Sequence, residues 1–125
     1  MGARISVRPI NSILFLSDEA GGEPPVPIHG AMIQSTPSTI SFRCYPEQEG
    51  PTVVVIGQLN EVESPQGAPA FDDELKTPSR SVVLSTADWH TLLRIEVPNL
   101  QTRVQIWLNH SQWPDKVTIG LSQFR

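Results

Sequence analysis

The chain has 125 residues, and its 12 prolines and 8 glycines favour short strands and frequent turns over long helices. Thirteen acidic side chains against nine basic ones leave a formal net charge of −4, which argues against nucleic acid as a partner because phosphate binding needs concentrated Lys and Arg. No apolar run approaches the roughly 18 residues of a membrane span, so no transmembrane segment is expected, and no secretory leader pattern opens the chain.

In chain order, MGARIS fits the short myristoylation pattern but leads straight into a strand at Ile5. VRPINSILFLSD (7–18) is a strand broken at Pro9, followed by a run apolar on both faces. DEAGGEPPVPIHG (18–30) is a long acidic loop. AMIQST (31–36) and TISFRCY (39–45) flank Pro37-Ser38 as a hairpin, with Ile33 opposite Phe42 and Ala31 opposite Cys44. Cys44, the only cysteine, sits at a core-facing position. It reads as a buried thiol, no intrachain disulfide can form, and a cytoplasmic protein is expected.

TVVVIGQL (52–59) is apolar on both sides, as in the middle of a packed sheet. NEVESPQGAPAFDDELKTPSR (60–80) reads as a second long acidic loop. After SVVLS (81–85), the Ser85/Asp88 spacing suggests a helical turn over 86–91. LLRIEVP (92–98), RVQIWLN (103–109) and KVTIGLS (116–122) then alternate strictly, which predicts a three-strand antiparallel meander over 92–122. In that register Leu93, Ile95 and Val97 face Leu108, Ile106 and Val104, which in turn face Val117, Ile119 and Leu121. Eight or nine strands with almost no helix predict an all-β, antiparallel two-sheet sandwich, jelly-roll-like, filling a single domain of residues 1–125.

Chemistry-bearing patterns are sparse. His29, His90 and His110 fall in loops without i+2 or i+4 companions, and no H-x-H, C-x-x-C or H-E-x-x-H spacing occurs. No G-x-S-x-G elbow is present. No cofactor is implied. A metal site, for calcium or for a sandwich hydrolase, would draw on Asp18, Glu19, Asp72, Asp73, His29 and His110 from the 18–30 and 60–80 loops, since hard cations want clustered carboxylate oxygens.

The tryptophans offer another reading. Trp89 is placed to cap one end of the core, and Trp113 stands at the tip of the last hairpin loop, where an exposed aromatic is a candidate contact residue. In the predicted register Trp107 lies opposite Arg94 and diagonal to Gly120. Locally, its ring would cover the glycine and stack on the arginine. As a surface, Trp107 with Arg94, Arg103 and Gln105 has the aromatic-plus-arginine composition that interfaces favour. The sequence thus points to a soluble, non-enzymatic binding module whose partner is a protein, either a second copy or a foreign chain. A special case of this is an acidic, immunity-type inhibitor of a basic partner such as a nuclease; the alternative class is the metal- or calcium-dependent sandwich domain or hydrolase using the 18–30 and 60–80 loops.

Overall fold

Pro9 decides the first turn of the chain. In the computed structural model, which describes residues 2–63, 65 and 67–123, strand β1 (Ala3–Val7) ends before it. Strand β2 (Ile13–Asp18) starts after a single 3-10 turn, Ile10–Ser12. Proline has a fixed φ and no N–H for a ladder, and the chain turns a corner here so that β1 and β2 enter different sheets. The other strands are β3 (Ile33–Ser35), β4 (Thr39–Arg43), β5 (Thr52–Gln58), β6 (Phe71–Lys76), β7 (Ser81–Thr86), β8 (Thr91–Glu96), β9 (Gln101–Leu108) and β10 (Lys116–Ser122). The described residues therefore form ten strands rather than eight or nine.

The strands build an all-β sandwich of two five-stranded sheets, ordered β1-β5-β10-β9-β6 and β3-β4-β2-β7-β8. Every pairing is antiparallel except β5 with β10. Period-two alternation sends Val54, Ile56, Val104, Ile106, Val117, Ile119 and Leu121 inward from the first sheet. They meet Leu14, Leu16, Ile40, Phe42, Val82 and Leu84 from the second. Each such fully buried aliphatic side chain stabilises the fold by roughly 1.5–3 kcal/mol relative to exposure. In TVVVIGQ, Val54 and Ile56 enter the core while Val53 and Val55 on the other face are half-buried, and the strand is paired on both edges, by β1 and β10.

Three local expectations change. The β9–β10 hairpin keeps its predicted register, with Leu108 opposite Val117, Ile106 opposite Ile119 and Val104 opposite Leu121. The meander over 92–122 does not form, however, because β8 belongs to the other sheet and pairs with β7. The link between β8 and β9 is a crossover pinned by its neighbour: Val97 N–H donates to the Arg80 carbonyl at 3.0 Å, and Thr77 Oγ1 donates to the Asn99 carbonyl at 2.7 Å. In the first half Ile33 does face Phe42, but β3 starts only at Ile33, so Ala31 is outside the ladder, and Cys44 N–H bonds instead to the Ser12 carbonyl at 2.7 Å. Residues 86–91 make no helical turn. Strand β7 runs on to Thr86, and a tight connection leads into β8.

The 60–80 stretch is likewise not all loop, for β6 lies inside it at the edge of the first sheet. Its exposed Asp73 pairs with inward-facing Val104. A charge at a core-facing position of an edge strand discourages further strands from adding there. One end of the sandwich carries the Pro9 corner and the β4–β5, β7–β8 and β9–β10 connections. The opposite end carries the β3–β4, β6–β7 and β8–β9 connections.

Candidate interaction surface

The face centred on Trp107 is built differently from the sequence reading. Trp107 lies on the outer side of the first sheet, opposite Thr118, whereas Arg94 lies on β8 of the second, so the two do not share a face. The β5–β6 connection crosses over that outer side. Its Gly67 carbonyl accepts the Trp107 Nε1–H at 3.2 Å, and the ring is only 8% exposed. Gly120 is covered by Leu59 rather than by the indole: a Cβ added there would lie 2.6 Å from Leu59 Cδ1. Beside the ring a cleft of about 350 Å³ remains, lined by Pro65, Ala68, Ala70, Leu108, Lys116 and Thr118.

The charged residues of the same reading are paired within the chain. Arg103 grips Asp72 with two parallel bonds, Nε to Oδ1 at 2.9 Å and Nη2 to Oδ2 at 2.7 Å, and Gln105 Nε2 adds a third at 3.4 Å. The guanidinium holds the Asp72 carboxyl below its ordinary range. Arg94 bonds to Glu19 and lies 3.7 Å from Glu96. Its guanidinium holds Glu19 down in the same way.

These pairings also account for the acidic residues considered as metal ligands. Asp18 is 1% exposed at the end of β2, where Oδ1 accepts from Ser79 N–H at 2.9 Å and Oδ2 accepts from Ser79 Oγ at 2.6 Å and Ala20 N–H at 2.9 Å. Asp18 therefore clasps the 77–80 turn onto the 18–30 loop. Asp72 and Asp73 lie on the other sheet. His110 turns Nδ1 inward to accept from its own loop, at 3.1 Å from Gln112 N and 3.0 Å from Trp113 N, and His29 is exposed. The described residues bring no three of the His, Cys, Asp or Glu side chains together in a group that would hold a metal. Burial pushes the Cys44 thiol up to about 12, which removes it as a nucleophile.

A different cluster emerges at the end of the sandwich that carries the Pro9 corner. Trp89 is 53% exposed and adopts φ 64 in the β7–β8 connection. For a bulky side chain the left-handed region costs about 1–2 kcal/mol. The conformation is held by Thr86, whose carbonyl accepts from Trp89 N–H at 2.9 Å, whose Oγ1 accepts from His90 N–H at 3.1 Å, and whose hydroxyl bonds to the Asp88 carboxylate. That bond keeps Asp88 ionised below the ordinary aspartate range. The indole does not cap the core but rests outside it on Phe15, centroids 5.0 Å apart.

The neighbouring connection supplies the second ring. Trp113, 42% exposed, covers the Arg43 guanidinium at 5.7 Å from the ring centroid. Arg43 is opposite Ile13 on β2, and Phe15 lies two residues further along the same face. Exposed Ile10 sits at the Pro9 corner, with Asn11 and Ser12 also in the left-handed region at φ 60 and 57. This end thus holds three of the six exposed large hydrophobic side chains and three of the four left-handed non-glycine residues among those described. Nothing in the alternation of the strands marks it. The only sequence hint was the placing of two tryptophans in connections.

No protein-family model matches this sequence, and no curated protein matches it. In fold the chain is similar to ComJ from Bacillus subtilis, an inhibitor of the DNA-degrading activity of NucA, with a TM-score of 0.68 over 99% of this chain and 96% of that one. The two sequences are 8% identical, so the likeness is one of fold.

Proposed function

We propose that this protein is a non-enzymatic protein-binding module that acts as an acidic inhibitor of a basic protein, with DNA-degrading nucleases as the partner class. The observation that supports this reading best is the likeness to the nuclease inhibitor ComJ along nearly the whole of both chains. The sequence supports it from another side. A net charge of −4 suits association with a cationic surface and disfavours competition for DNA itself. The reading takes the cytoplasm as the working compartment, in keeping with the free thiol of Cys44.

The test is complex formation with a NucA-type nuclease from the chain's own source organism. Light scattering after mixing at micromolar concentration is expected to show a species of the summed mass that weakens as salt rises, because charge pairs at an interface are screened. Two separate masses at low salt would contradict the proposal.

A further inference from the structure

We propose that the aromatic end of the sandwich, Trp89 on Phe15 and Trp113 on Arg43, is the surface on which the basic partner docks. The assignment rests on the reading above and names the site through which it would work. It starts from a local conflict at Trp89. A left-handed position in a tight connection asks for Gly or Asn, yet the chain places a tryptophan there and leaves 53% of it exposed. Core burial does not offset the strained backbone. The ring contact with Phe15 is the gain the fold takes from it, and strained backbone of this kind clusters at functional positions.

The ring is also held ready for contact. Thr86 fixes the backbone on both sides of it, and Phe15 fixes the plane of the indole. An anchor that is rigid before binding loses little conformational freedom on docking. Trp113 is supported in the same way by Arg43. Phe15 and Arg43 stand two residues and one strand apart on one face, about 8 Å from strand geometry, so the supports of the two indoles are neighbours at the same end of the sheet. Exposed Trp with Ile10 at the rim is the composition of an interface hot spot.

Charge selects the occupant. Glu47, Glu49, Asp88 and Asp115 all lie in connections at this end and are at least partly exposed. Of the cations at this end, Arg8 Nη1 donates to the Glu47 carbonyl at 3.2 Å and Arg43 lies against the Trp113 ring, while exposed Lys116 stands beside Asp115 at the start of β10. Two copies meeting through this end would face carboxylates with carboxylates. A foreign surface with an apolar socket ringed by Lys and Arg fits instead.

The test compares the intact chain with Trp89→Gly and Trp113→Ala by calorimetric titration against the same NucA-type nuclease, with urea melts of each variant. Glycine suits the left-handed backbone, so Trp89→Gly is expected to keep a cooperative melt near that of the parent. Its affinity is expected to fall roughly 30-fold or more, the size of a hot-spot loss, and Trp113→Ala to weaken binding as well. If the parent binds and both variants bind equally well, the surface assignment is wrong while the inhibitor reading stands. If the parent binds no such nuclease, both fail together. A parent dimer that Trp89→Gly converts to monomer would overturn the assignment in favour of a second copy.

Discussion

Asp18 shows how a single buried carboxylate organises a connection. Its two oxygens satisfy two backbone N–H groups and a hydroxyl from segments separated by up to 61 residues in sequence. Removing it takes the shared partner from the donors of Ala20 and Ser79, which are exposed and fall back on water. Asp18→Ala is therefore expected to cost about 2 kcal/mol, read as a lower midpoint in urea. Asp72 behaves differently, because both partners of its pair with Arg103 are more than a third exposed. The pair is worth less than about 1 kcal/mol and weakens with salt. Since Arg103 lowers the folded pKa of Asp72 below the ordinary aspartate value of 3.8, its contribution is complete above that value and is lost as pH falls through the folded pKa. Urea stability is expected to change little from pH 7 to about pH 5 and to drop below pH 4; Asp72→Asn should make the drop shallower.

At the scale of elements, alternation reports which side chains face the core but not which strand is the neighbour. Leu93 and Ile95 are core-facing as the sequence reading requires, yet β8 sits in the sheet opposite β9. A hairpin mate and a strand across the sandwich demand the same inward set, so the pattern alone does not separate them. Strand β9 with β10 was legible because both registers and the loop length agreed. Strand β6 was hidden because FDDELK has the composition of a loop, and its acids serve an edge rather than a core. The Trp107 cover was hidden for another reason: residues in the 59–70 connection, far from the indole in sequence, decide its exposure. Backbone spacing matters as much at the first sheet's other edge. A Cβ at Gly57 would lie 2.6 Å from Gly2 Cα, so Gly57→Ala must push the start of β1 away from β5. The expected cost is about 1–3 kcal/mol, with faster amide exchange confined to residues 3–7 as the accompanying sign.

For the whole molecule, the sequence led to the sandwich, while the surface it favoured lies partly beneath the chain's own β5–β6 connection. What took its place depends on three connections meeting at one end of the fold, a convergence that no local pattern encodes. Two exposed indoles, one on a strained backbone, are then presented by a chain of net charge −4 whose fold is similar to that of ComJ. The most direct measurement of this account is the rate at which a NucA-type nuclease degrades DNA as the chain is added up to and beyond equimolar amounts. The rate is expected to fall until it saturates near one chain per nuclease, independently of DNA concentration. An unchanged rate at several-fold molar excess of the chain would contradict it.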